Sequence, residues 1–132
     1  MVDIETLDTI STAAILSIAA VPFDISTGKY SKTNIYYKII DLQSCIDAGL
    51  TVGGETFYWW MRQSDAARFE VISSSSKRLS LSHALREFTV YMQDLGTGNV
   101  RIWGNSARFD LGIIENAYLA MGNKKVPWQW VK

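Results

Sequence analysis

The first forty residues carry dense apolar runs broken by a single turn signal. MVDIE (1–5) alternates apolar and acidic positions, TAAILSIAAVPFD (12–24) is nearly continuous apolar sequence, and NIYYKII (34–40) is β-branched and aromatic. With the turn at Ser26-Thr27-Gly28-Lys29 between the second and third runs, the pattern predicts three successive antiparallel strands, the first very short. The rhythm then changes. GGETFYWWMRQ (53–63), SDAARFEVISS (64–74) and SLSHALREFTVYMQDL (80–95) read as helices. In the last, Leu81, Leu85, Phe88 and Met92 recur at spacings of four, three and four, which is one face of an amphipathic helix. Ser64 and Ser80 are suited to cap the helices they precede. Gly96-Thr97-Gly98 ends the helical region, NVRIWG (99–104) predicts a strand, and FDLGIIENAYLAMG (109–122) a helix closed by Gly122. Strands first and helix-strand-helix afterwards define a mixed α/β fold with a partly antiparallel sheet. The serines at 73–76 read as an exposed loop.

Length and composition bound this picture. At 132 residues and 48% hydrophobic content the chain is one domain with a core large enough to need no disulfides. Thirteen basic residues balance thirteen acidic ones, so no long-range field draws the protein to nucleic acid or membrane, and a polyanionic substrate must be held by local contacts. The single Cys45 excludes an internal disulfide and a cysteine zinc cluster, and suits a small apolar core position in a reducing compartment. The acidic start lacks the basic region of a signal peptide, and AAILSIAAVPF (13–23) is too short to span a bilayer. A cytoplasmic protein with no membrane partner is expected.

Two acidic motifs carry the candidate chemistry. On a strand Asp3 and Glu5 point to one side, about 7 Å apart along it, and repel each other unless a cation sits between them. Hard divalent cations such as Mg²⁺ or Mn²⁺ take such oxygen ligands. For a bare D-x-E, a solvated strand face is the more common explanation. After the strand NVRIWG, N-S-A-R-F-D places Asn105 in a turn and Asp110 at a helix start, where a carboxylate can reach a neighbouring strand but is also ordinary helix chemistry.

Together D-I-E-T (3–6) and N-x-x-x-F-D (105–110) resemble the first and second motifs of the DEDD superfamily of 3′-5′ exonucleases, which have an RNase H-like fold. FYWWMRQSDAAR (57–68) resembles the WW-x-x-QS-x-x-AR signature of a phage and bacterial subgroup that includes DexA-type phage exonucleases and mycobacterial-type exoribonucleases; WGN (103–105) and Pro127-Trp128 fit the same subgroup. The resemblance covers nearly the whole chain. It implies a mixed sheet of three antiparallel strands followed by parallel ones, flanked by helices. It further implies that Asp3, Glu5 and Asp110 are catalytic and hold two divalent cations, Mg²⁺ or Mn²⁺, roughly 3.5 to 4 Å apart for phosphodiester hydrolysis. The expected substrate is the 3′ end of a single-stranded DNA or RNA. Thr6 and Leu7 would flank its terminal nucleotide, while Trp60, Gln63 and Asn105 would approach it. Arg62 and Arg68 are candidates for phosphates, Arg68 alternatively for an ion pair.

The superfamily places a fourth carboxylate and a His or Tyr base after its second motif, and the chain reaches Lys132 before any such element. His83 in SHALREF precedes the second motif, and Phe88 stands where an Asp would be needed, so it is read as a surface helix residue. The expectation is a domain missing its C-terminal element, catalytically weak or inactive, with apolar surface available for self-association. Two other classes stay open: a non-catalytic binding remnant that keeps the three carboxylates, and a partner-binding structural domain in which they are surface.

Overall fold

The computed structural model describes residues 1–72, 77–96 and 100–129. Three strands, β1 (Val2–Thr6), β2 (Ile15–Ala20) and β3 (Tyr36–Ile40), are followed by α1 (Leu42–Asp47), α2 (Gly54–Met61), α3 (Asp65–Ile72), a two-residue β4 (Arg78–Leu79), α4 (Leu81–Asp94) and α5 (Ala107–Ala120). The sheet runs β1-β2-β3-β4, antiparallel between β1 and β2 and between β2 and β3, and parallel between β3 and β4. The expected α/β class and mixed sheet are present, consistent with an RNase H-like fold.

Each predicted helix in the described residues forms. Ser80 caps α4 by accepting the His83 N–H, and the Ser64 hydroxyl accepts the Ala67 N–H at the start of α3. Gly122 takes a φ of +79° just beyond α5, the left-handed conformation that ends a helix at little cost for glycine. The serines at 73–76 lie outside the described residues, as do residues 97–99 and 130–132.

Two elements depart from expectation. Among the described residues, the expected strand 99–104 is reduced to the parallel bridge Val2–Gly104 and the Val2 N–H to Trp103 carbonyl bond of 2.6 Å, just before the turn into α5. Helix α1 has only six residues, too few to show an apolar period, and is fixed by Asp41, which accepts the Ser44 N–H, and by buried Cys45.

The main core lies between one face of the sheet and the pair α4 and α5. Val2 and Ile4 of β1, Ile18 and Ala20 of β2, and Tyr36 and Ile40 of β3 meet Leu81, Ala84, Leu85, Phe88 and Met92 of α4 and Leu111, Ile113, Ile114 and Ala117 of α5. Two phenols entering this core are satisfied: Tyr36 donates to the Ala84 carbonyl and Tyr118 to the Leu85 carbonyl, each at 2.8 Å. A smaller cluster of Leu7, Leu16, Trp60 and Val71 holds α2 and α3 against the end of β1. Among the described residues no helix is long and apolar enough to cross a membrane.

Candidate active site

Strand alternation separates β1 into two functions. Val2, Ile4 and Thr6 are buried, whereas Asp3 is exposed and Glu5 half-buried on the other face. Their cross-strand neighbours are small: Asp3 lies opposite Ala19 and Glu5 opposite Ser17, which leaves room above the carboxylates. The register shifts between Glu5 and Thr6, a bulge of the kind that re-aims side chains beside functional sites.

Asp110 is brought to this strand by close backbone approach. It lies in the first turn of α5, is only 3% exposed, and its Oδ2 accepts the Ser106 N–H at 2.9 Å. Gly104, bridged to Val2, passes so close that a Cβ there would stand 2.9 Å from Asp110 Oδ2 and 3.1 Å from Asp110 Cβ. A side chain at 104 would occupy the space of the carboxylate, so this glycine serves proximity rather than an unusual φ.

Asp3 and Glu5 both sense the charge of Asp110. Burial, and then the charge of Asp110, raise Asp3 above its ordinary carboxylate value. Burial, then Asp3, then Asp110 do the same to Glu5. The ion pairs seen among the described residues lie elsewhere, as in Lys38–Glu87, Arg68–Asp65 and His83–Glu87. Mutual repulsion without a cation is what a divalent metal would relieve, and the donor set of hard oxygens suits Mg²⁺ or Mn²⁺. Among the described residues no three of His, Cys, Asp and Glu converge tightly enough to hold an ion unaided. A cation such as Mg²⁺ keeps several waters and uses one or two carboxylates plus substrate oxygens, and so does not require that convergence.

Beside Glu5 opens a cleft of ≈ 580 Å³. Its floor is Ile4, Glu5 and Thr6 of β1, and α2 forms a wall with Glu55, Thr56, Trp59 and Trp60. Arg62, Thr9 and Phe109 complete the lining. Helix α2 is strapped to β1 at two points: the Gly53 N–H donates to the Leu7 carbonyl at 2.7 Å, and the Trp60 indole N–H to the Thr6 carbonyl at 2.9 Å. These bonds fix the wall relative to the floor.

The residues singled out in the sequence fall into distinct places. Thr6 and Trp60 line the cleft but are buried; the Thr6 hydroxyl donates to the Asp8 carbonyl, and Trp60, 6% exposed, is committed to Thr6. Leu7 packs in the smaller core. Gln63 donates to the Trp59 carbonyl at 2.9 Å and steadies the end of α2, outside the cleft lining. Asn105 is exposed in the turn before α5. Arg68 pairs with Asp65 and donates to the Met61 carbonyl. His83 sits on α4 beside Glu87, as a surface helix residue should. Sequence reasoning settled on Trp60 where its neighbour Trp59 is the exposed ring, at 52%, and it missed Glu55, Thr56 and Thr9. Only the tertiary approach of α2 to β1 gathers them. The role of Gly104 had one sequence signal, a glycine directly before Asn105.

A mixed sheet with acidic residues on its first strand, a third carboxylate at the mouth of a later helix and an aromatic-walled cleft beside them defines the class: a nuclease-like α/β domain. The model of the 3′-5′ exoribonuclease Rv2179c-like domain matches residues 1–132, and the chain belongs to that family. A comparison with curated proteins gives no match.

Proposed function

We propose that this domain hydrolyses the 3′-terminal phosphodiester of a single-stranded nucleic acid, with Asp3, Glu5 and Asp110 as ligands for two divalent cations. The observation that carries the reading is geometric: Asp3 and Glu5 share one face of β1, Asp110 is held against the Gly104 backbone that bridges to the same strand, and Glu5 lines a cleft of nucleotide size. Family membership supports the nuclease class and points to RNA. When bound, the cations would supply Lewis acidity and an activated water for in-line displacement.

The chain's own residues perform the remaining tasks. Asp110 is pre-positioned by the Ser106 N–H and the Gly104 backbone, so little reorganisation accompanies cation binding. Thr6, which lines the cleft, flanks the terminal nucleotide, and Leu7 packs behind it in the smaller core. Trp60 secures the wall through its N–H, and the exposed ring of Trp59 offers a π-face to a base. Arg62, whose Nε donates to the Tyr58 carbonyl, is the one basic side chain lining the cleft among the described residues and faces the phosphate chain. Gln63 and Asn105 lie outside the cleft lining, and their part in the proposal is limited to contacts with the strand beyond it.

A 5′-labelled single-stranded RNA incubated with the protein and Mg²⁺ or Mn²⁺ tests this reading. A ladder shortening one nucleotide at a time from the 3′ end, abolished by EDTA and by Asp110→Asn, is expected. Metal-dependent binding without shortening would leave a nucleic-acid-binding module in place of an enzyme.

A further inference from the structure

Glu55 poses an electrostatic puzzle. It lines the same cleft as Glu5, from the first turn of α2. None of the ion pairs or hydrogen bonds found among the described residues involves it. A carboxylate in a cleft meant for a phosphate chain repels its ligand unless that ligand offers a hydrogen-bond donor. A nucleotide has donors only on its base edges and its sugar hydroxyls. Glu55 faces the cleft from the α2 wall, and Glu5 and Thr6 line the same cleft from its floor, so a sugar seated beside Glu5 shares that space with Glu55. The bases have the rings of Trp59 and Phe109 to rest on.

We propose that Glu55 accepts a hydrogen bond from the 2′-hydroxyl of a ribonucleotide seated in this cleft, and so makes the domain selective for RNA over DNA. The proposal rests on the nuclease reading above and adds the residue that reads the sugar. The 2′-hydroxyl is the group by which a protein distinguishes RNA from DNA, and a carboxylate is the acceptor used for the ribose 2′-hydroxyl in dinucleotide sites. Thr56, half-buried next to Glu55 in the wall, places a second hydroxyl beside the same sugar. At an internal position the 3′ oxygen is tied up in the phosphodiester, so deoxyribose there offers Glu55 no sugar donor and leaves its charge facing the strand unpaired.

The test compares kcat/KM of the unaltered chain, Glu55→Gln and Glu55→Ala on matched single strands of RNA and DNA, and on DNA carrying one ribonucleotide at each of the last three positions. A hydrogen bond to a charged acceptor corresponds to about a 10- to 150-fold preference. The RNA-to-DNA ratio should fall by roughly that factor in Glu55→Ala, and one ribonucleotide position should restore most of the preference in the unaltered chain alone. A 2′-fluoro substitution at that position, which accepts but cannot donate, should behave as DNA. Equal losses on RNA and DNA in Glu55→Ala would overturn the proposal, as would a shift in metal requirement common to both substrates, which would make Glu55 a metal ligand instead. Absence of cleavage on every substrate by the unaltered chain would overturn the nuclease reading and this proposal together; cleavage with an unchanged ratio overturns this proposal alone.

Discussion

Replacing Gly104 by alanine is a direct probe of how the third carboxylate is positioned. The added methyl would lie 2.9 Å from Asp110 Oδ2, 3.1 Å from its Cβ and 3.4 Å from its Cγ, and Asp110 is only 3% exposed. Relief comes in one of two ways. If Asp110 rotates away, it loses the Ser106 N–H, a hydrogen bond to a charged group that contributes about 1.5–3 kcal/mol. If segment 100–104 withdraws instead, the Val2–Trp103 backbone bond is lost and the edge is repacked, at about 1–3 kcal/mol. Alanine restricts the unfolded chain and returns about 0.4–1 kcal/mol, leaving a net loss of about 1–2 kcal/mol. With an unfolding entropy of about 2.1 cal/mol/K per residue, the Tm should drop by roughly 4–7 °C. Calorimetric melts in EDTA measure this, with Gly112→Ala as the control. Gly112 lies inside α5 with nothing within 4 Å of a Cβ, so there alanine should raise the Tm by a few degrees through helix propensity. A Gly104→Ala chain melting at or above the unaltered protein, as Gly112→Ala should, would refute the argument.

Other consequences follow from the same contacts. Trp60→Phe leaves the Thr6 carbonyl without its indole partner and should cost about 1–3 kcal/mol in urea unfolding, whereas Trp59→Phe on the exposed ring should stay within about 0.5 kcal/mol; equal effects would show that the N–H tie is unimportant. The raised values of Asp3 and Glu5 set the sign of a pH effect in metal-free protein. The native state takes up protons at these groups before the unfolded chain does. Their repulsion is therefore relieved as pH falls through the raised values, and the gain is complete below the unfolded carboxylate range of about 4. Urea midpoints at pH 7.5 and 5.5 should show the unaltered protein gaining on the Asp3→Asn/Glu5→Gln variant as pH falls, and a relative loss would contradict the coupling. Ser80→Ala removes the α4 cap and should cost about 1 kcal/mol with metal binding untouched.

The apolar pattern made much of the fold legible. Leu81, Leu85, Phe88 and Met92 are all buried on one face of α4, and the strand runs of the first forty residues pair in the expected antiparallel order. Helix α1 and the two-residue β4 were illegible, since neither is long enough to display a period. Asp3, Glu5 and Asp110 could be named as candidates from strand alternation and a helix start, and in the fold the charge of Asp110 bears on the other two. What surrounds them was not legible. Trp59 and Trp60 are adjacent in sequence, and only the approach of α2 to β1 decides that one ring is buried while the other faces out. Glu55 likewise enters the cleft through tertiary packing, with no local motif to mark it.

The central claim is that Asp3, Glu5 and Asp110 form a divalent-cation site. Asp110→Asn tests it most directly, because the amide oxygen can still accept the Ser106 N–H and preserve the local structure while removing the charge. The measurement is the Tm of both proteins as Mn²⁺ is titrated to about a hundred times its dissociation constant. For the unaltered protein the expected stabilisation is about 2.7 kcal/mol, a rise of roughly 10 °C. The account predicts this rise in the unaltered protein and its loss in Asp110→Asn; an equal rise in both would contradict it.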